Sequence, residues 1–564
     1  MLAHVRRFVL GLSVLVILML PTCLRTGSGG CGGGPGAAAV CRCPEQEEKA
    51  ESVPDSTKDP VRGGEISIHL EAEPPHLLGL LRQDASIYRI VQHDVVEALV
   101  REDPLTGSLL PELAQSWEVS EDRKRITFHL RPDARWHDGN AFTSSDVVFT
   151  FDRLLDPRGG AAQRSDFDQM VKYSAPDSLT FEIELSRPDS LFMYNLESLG
   201  ILPRHVFDTS GFSGHPALRA PVGTGPFRFV KWEPGENITL ERFDDYWGQR
   251  AWLDRVVYRI VLDKTVALQM MRRGELDVMP RIGEDQLDAP SRDPLLKKKY
   301  RMLRYKPPRI SYFVYNIHRK MFRDVRTRRA MAHLIDRESL RCSIARCMGN
   351  PLTGIWPSDH ACTPGEIKPL GYDPALARKY LDEAGWRDAD GDGIRDRNNN
   401  PFIFSLLVAT ASRTWQRAST VVQADLRRAG IKMNIVTVDW SVFLQRLKDH
   451  EFDAAVLAMS FFSWENLDPA PLFHCASSKD GQNYGGWCDA EADALMSDYR
   501  RTFDQEKRRE ICRSLSRRLY DAQPVTFLNA PELAALVRRD VRGITISDLD
   551  MGESDIWIDP GGSK

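Results

Sequence analysis

The period of the hydrophobic pattern changes repeatedly along the chain, and each change marks an element. Residues 116–119 and 125–131 flank the polar turn 121–124. Ile126, Phe128 and Leu130 alternate with Thr127, His129 and Arg131, which predicts a half-buried hairpin. Asp138-Gly139 predicts a tight turn after it. Thr143 and Asp146 form a T-x-x-D capping box ahead of Val147, Phe151 and Leu154 at helical spacing, and Asp156-Pro157 stops that helix. Upstream, Ile66, Ile68 and Leu70 alternate as a first strand, and Ile87, Val91, Val95 and Leu99 predict an amphipathic helix over 87–100. Leu179, Phe181, Ile183 and Leu185 place another strand at 178–185.

Further along, 227–230 and 238–242 read as a hairpin around Pro234-Gly235, and 265–274 as a helix. A strand at 310–316 leads into the basic helix 322–338, with Met331, Leu334 and Ile335 packed inward and its charges in solvent. Strands at 402–410, 431–438 and 452–459 then alternate with helices at 418–429 and 440–450, which predicts a largely parallel sheet and an α/β class. A late helix at 511–520 precedes two strands, 524–529 and 534–537.

At 564 residues, with 42% hydrophobic and 27% charged, the chain has material for at least two large cores. A formal charge of −4 argues against a nucleic-acid binder. Lacking an apolar run of about 18 residues, it is expected to have no transmembrane helix. Arg6 and Arg7 followed by the apolar run 8–20 read as a targeting segment. Cys23, directly behind Leu20-Pro21-Thr22, resembles the lipidated cysteine of a bacterial lipobox. Residues 24–60 read as a flexible tether, and Cys31, Cys41 and Cys43 within it define no metal site. An exported chain folds where disulfides persist. Cys362 is expected to pair with Cys342 or Cys347, and Cys512 to be a buried thiol.

Candidate chemistry is sparse. No G-x-S-x-G elbow occurs. His450-Glu451 begins a zinc-protease pattern, but Ala454 stands where the second histidine belongs. The 13 histidines do not cluster at metal-ligand spacing. Gly223 and Gly225 complete neither phosphate-loop pattern, and Pro226 removes a backbone donor, so a strand-entry turn is predicted. Asp388, Asp390, Asp392 and Asp396 with Gly393 fit a calcium loop, but Asn399 replaces its bidentate Glu; a calcium loop and a polar hairpin turn both stay open. No cofactor or metal is expected, and a lipid-anchored hydrolase has no nucleophile to rest on.

The order of words from 111 to 157, PELAQSWEVSEDRKRITFHLRPDARWHDGNAFTSSDVVFTFDRLLDP, is more specific than its periodicity. It resembles the bacterial extracytoplasmic solute-binding proteins of the peptide-transport family, receptors of ABC importers. The likeness continues through ILPRHVF, PVGTGPFRFVKWEPGENITLERFDDYWG and GELDV to about residue 558. It implies an α/β, two-lobed periplasmic-binding-protein fold of the type II, Venus-flytrap kind, with an enlarged first lobe. The first lobe would span 61–310 and 525–564, with the strands after 524 returning to it. The second would span 311–524, behind a signal at 1–23 and a linker at 24–60.

The resemblance also implies a function and a site. A short peptide brings a cationic amine and an anionic carboxylate, and closing two lobes over it requires a partner for each. In relatives an Asp three residues before an Asp/Glu-Pro pair binds the amine. Here Glu465 holds that position, one methylene longer, ahead of Asp468-Pro469. Arg413, in TASRTW, matches the arginine that grips the carboxylate in dipeptide receptors, a task suited to its planar fork. Trp464, Trp415 and Asp468 join them as candidate ligand residues. Cys475 and Cys488 match a pair that is disulfide-bonded in dipeptide receptors. The implied partners are a short peptide, an inner-membrane ABC permease with its ATPase subunits, and the membrane through a lipid at Cys23. The implied receptor is a monomer in the periplasm or on the outer face of the envelope. Nickel chelates, haem, opines and oligosaccharides are alternative solutes for the same fold.

Overall fold

A computed structural model describes residues 59–561, apart from 82–84, 104–105, 157–160, 162–163, 208–211, 213, 345, 411, 462 and 546–551. The targeting segment, Cys23 and the tether to residue 58 lie outside the described residues. Two large sheets dominate the rest. The first has seven strands, in the order Tyr300–Tyr305, Leu533–Arg538, Val278–Met279, Glu65–Leu70, Arg255–Ile260, Asn237–Arg242 and Phe227–Glu233. The second has five, in the order Lys432–Val438, Ile403–Ala409, Ala454–Ser460, Arg309–Tyr315 and Val525–Phe527. A four-stranded antiparallel sheet, built on the hairpin Ala114–Val119 and Arg125–Leu130, forms a subdomain of the first lobe.

Each sheet has its own core. Ile66, Ile68, Val256 and Val537 are buried in the first, and Phe128, Phe151 and Phe181 in the subdomain. The two faces of the second sheet bury Tyr312 and Leu457 on one side and Phe404 and Leu406 on the other. The helix Ser144–Leu155 carries the predicted capping box and lays Val147, Phe151 and Leu154 onto the subdomain. The helix Lys264–Arg273 begins on an Asp263 cap and ends on Gly274 in the left-handed region.

The structure corrects several sequence readings. The helix expected over 87–100 ends at Val91, because His93 takes φ 65° and turns the chain. Residues 94–96 then run against Gly223 and Gly225, where a Cβ would fall 1.7 Å from Val95 O and 2.5 Å from Asp94 O. Those glycines serve a close backbone approach ahead of the strand Phe227–Glu233. The second sheet is mixed rather than largely parallel: Ile403–Ala409 runs parallel to both neighbours, while Arg309–Tyr315 is antiparallel to both of its own. Val525–Phe527 pairs with Arg309–Tyr315 inside this second sheet, so the return to the first is made by Leu533–Arg538. The basic helix breaks into Val325–His333 and Arg337–Ser343. Met331, Leu334 and Ile335 are buried as expected, but so are Arg328 and Arg337. Arg328 donates to the carbonyls of Phe322, Arg323, Ala522 and Gln523, stitching this helix to the end of the late helix Gln505–Ala522.

Cysteine pairing differs from expectation at one place. Cys475 is bonded to Cys488, but Cys362 pairs with Cys512, 150 residues away, and not with Cys342 or Cys347. Cys342 is buried with the Cys347 sulfur 3.8 Å off. At 388–400 the chain forms an exposed polar turn. Asp388 accepts backbone N–H bonds from Gly391 and Gly393, and Asp396–Arg397 pairs with Asn400–Pro401. The oxygens of Asp388, Asp390 and Asp392 lie within 4.8 Å of one another.

Candidate ligand-binding site

The chain passes between the large sheets at 306–308 and again at 528–532, and these crossings form one wall of two in a series of three chambers. The largest has a volume of about 580 Å³ and is lined by Lys306, Pro307, His360, Trp464, Glu465 and Pro531. A chamber of about 170 Å³ shares Pro351 and Pro531 with it. That one receives Arg281 from the first lobe, Arg309 from the second sheet, Arg341 and, from the helix Arg413–Arg428, Thr414 and Trp415. A third, of about 140 Å³, shares His360 and Glu465 with the first and is closed by Thr106, Tyr194, Tyr499 and Arg508.

Glu465 thus stands between two chambers, its side chain 58% exposed, with His360 Nε2 3.6 Å from Oε1. It follows the strand Ala454–Ser460 and packs on Gly107 of the first lobe, where an added Cβ would lie 3.0 Å from its own. The next residue, Asn466, lines the third chamber with it. Its Nδ2 donates to Glu102 Oε1 at 2.9 Å and to the Gly107 carbonyl at 3.1 Å, joining the lobes beside the site. Burial, followed by the charge of Glu197, raises the Glu102 carboxyl to about 7. Ser190 N–H donates to Arg500 O at 2.6 Å, and the Arg123 guanidinium lies over the Phe503 ring, so the lobes are in contact along this edge.

The other candidates are placed as follows. Trp464 and Trp415 line the largest and the arginine-bearing chamber respectively, each half-buried. Arg413 is exposed in the first turn of its helix, between Ser412 and Thr414, which line the arginine-bearing chamber. Its charge reaches the first lobe: the Asp263 carboxyl is held low by the N–H groups of Val266 and Thr265, with Arg413 adding to the effect. Asp468 is committed elsewhere, to Arg500 at 2.8 Å and to the Ala470 N–H at 3.0 Å. Sequence reading missed His360, Arg281 and Arg309. They sit outside any periodic or motif context, although the nearby Cys362 marks a fixed loop.

The two-lobed fold with a chambered inter-lobe cleft is that of a solute receptor. The profile of the bacterial extracellular solute-binding proteins, family 5, matches residues 108–483, and the chain belongs to that family. Its relatives include the dipeptide-binding protein of Escherichia coli (strain K12), 27% identical over 473 residues, which cover 79% of this chain and 85% of the relative. Another is the oligopeptide-binding protein AppA of Bacillus subtilis (strain 168), 26% identical over 512 residues, covering 88% and 91%. The solved structure of AppA from Bacillus subtilis in complex with a nonapeptide superposes with a TM-score of 0.76 at 24% identity, covering 89% of this chain and all of that one.

Proposed function

We propose that this protein captures short peptides outside the cytoplasmic membrane and presents them to an ABC permease and its ATPase subunits, with no covalent chemistry of its own. The observation that carries this reading is the placement of Glu465: a carboxylate open to two chambers, with an arginine-bearing chamber one step further along the cleft. A peptide amine is received at Glu465, and its carboxylate is drawn toward Arg413 at the rim and Arg281 and Arg309 within. Trp464 and Trp415 supply apolar walls, and Asp468 supports the loop through Arg500. A volume of about 580 Å³ suits a small ligand, since such sites commonly run from ~300 to ~1,000 Å³. The names of the relatives, a dipeptide-binding and an oligopeptide-binding protein, support the same class. Cys23 carries a lipid that holds a monomeric receptor to the envelope by the tether 24–60.

The test is calorimetry on ligand-stripped protein with the dipeptide Ala-Leu and tri-alanine, each beside its N-acetyl and amidated analogues. Free peptides are expected to bind, and N-acetylation to weaken them. Binding of a histidine–nickel chelate, haem or an oligosaccharide with no response to peptides would transfer the receptor to another solute. Cys23→Ala is expected to move the protein from the membrane fraction to the soluble one.

A further inference from the structure

His360 stands beside Glu465, and its surroundings fix the tautomer of its neutral ring. The backbone N–H of Cys362 donates to His360 Nδ1 at 3.1 Å. An amide N–H can only donate, so in the neutral ring the proton sits on Nε2. That Nε2 is buried without a hydrogen-bond partner among the described residues. Its nearest acidic oxygen is Glu465 Oε1 at 3.6 Å, and the side chain is only 9% exposed, lining the two chambers that Glu465 also lines. The ring cannot easily turn away. It stacks at 11° on the fully buried Trp356. Its loop is tied to the late helix by the Cys362–Cys512 disulfide, by Arg513 on the Ala361 carbonyl and by Ser516 on the Cys362 carbonyl.

We propose that His360 and Glu465 form a single cation-recognition unit, in which the neutral imidazole holds the Glu465 carboxylate ready and a proton on His360 excludes the ligand's ammonium group. The inference rests on the reading of Glu465 as the amine end of the site. Its physical basis is competition. The imidazolium and a bound ammonium would face one carboxylate across a few ångströms in a partly dry cleft, where like charges repel strongly. Burial lowers the basicity of His360, and the charge of Glu465 works in the opposite direction, with a smaller effect from Asp359. From the late helix Arg509 opposes protonation and Arg508 lines the same chamber, with Tyr499 and Tyr194; Lys306 lines the largest chamber, and the Glu102 carboxyl lies near enough to Glu465 for their charges to interact. The site therefore meets ligand at neutral pH with an uncharged His360. Acid loads the histidine and releases the ligand, and by reciprocity a bound ammonium lowers the histidine's affinity for its proton.

The test reads the histidine directly and then the ligand. In ¹⁵N NMR of the full chain, with His360→Gln used for assignment, the ring is expected to show the Nε2–H tautomer and to titrate below ordinary histidine. Glu465→Gln is expected to lower that midpoint further. A proton on Nδ1, or a titration indifferent to Glu465→Gln, overturns the inference. In calorimetry, Ala-Leu affinity is expected to fall between about pH 7.5 and about pH 5.5, by less than about tenfold because the histidine titrates below its ordinary value. His360→Gln keeps an N–H without a titrating charge, and its profile should be flatter. A variant that retains the wild-type slope while Glu465→Gln still abolishes discrimination against N-acetyl-Ala-Leu sinks only the His360 inference. Indifference of free-amine binding to Glu465→Gln sinks the amine reading itself.

Discussion

A carboxylate that is 58% exposed can be stripped of water by a ligand at modest cost, whereas Asp468, already bound to Arg500 at 2.8 Å, cannot. On the proposed reading, this difference selects Glu465 over Asp468 as the acid that receives a cation. Glu465→Gln should weaken free-amine peptides by roughly 1.5–3 kcal/mol, about a tenfold to hundredfold loss, and leave N-acetylated ones nearly unchanged. Arg413→Ala should penalise free carboxylates more than amides, but mildly, because the residue is exposed and its attraction is screened by solvent. Both effects are read by calorimetry, and wild-type affinity of both variants for a free dipeptide would remove these residues from the site. As candidates, Glu465 and Arg413 were legible in the sequence because motifs of fixed local spacing carry them. Asp468 lay in the same motif, yet its partner Arg500 sits beyond the loop, and no spacing rule shows such a commitment. His360 was invisible for a related reason: what defines it is convergence with Glu465, over a hundred residues away.

At the scale of elements, local chemistry was legible and long-range closure was not. The capping box at Thr143 and the Asp138-Gly139 turn depend on neighbours within a few residues, and they formed as read. The helix expected to run to residue 100 failed because the chain turns at 93–96 and packs its backbone against Gly223 and Gly225, far along the chain. Cys512 looked like a buried thiol since its partner is 150 residues away. The two disulfides should contribute differently. Opening Cys475–Cys488, with a separation of 13, should cost on the order of 3 kcal/mol. Opening Cys362–Cys512, with a separation of 150, should cost about 5 kcal/mol by loop entropy and also loosen the loop carrying His360. Denaturant unfolding of the paired Cys→Ser variants checks the order, and a larger loss at Cys475–Cys488 would contradict it. Arg328→Leu leaves the carbonyls of Ala522 and Gln523 without their donor and should destabilise by roughly 3 kcal/mol in the same assay.

For the molecule as a whole, Asn466 ties the ligand loop to Glu102 of the first lobe. Burial raises that carboxyl from 4.5 to about 7, with the charge of Glu197 adding to it. The folded arrangement therefore takes up a proton that the unfolded chain releases, and a lobe opening that exposed Glu102 would release it too. The sign follows: this contribution favours closure on the acid side and weakens as pH rises through the window from 4.5 to about 7. Glu102→Gln keeps an acceptor for Asn466 and removes the titration. Small-angle scattering of ligand-free protein should show wild type opening as pH rises across this window and the variant changing less. A variant with the wild-type trend would place the pH response elsewhere. Two-lobed architecture was legible in the order of sequence words, but this contact was not, because it joins residues 364 apart.

Trp464 lies in the wall of the largest chamber, directly before Glu465. An indole in that position changes its emission when water beside it is replaced by a solute, so the receptor contains its own optical gauge. Among 12 tryptophans the signal is isolated by difference, subtracting the response of Trp464→Phe. Fluorescence titration of unlabelled protein can then rank whole solute libraries, and stopped-flow recording of the same band gives the rates at which solutes enter and leave.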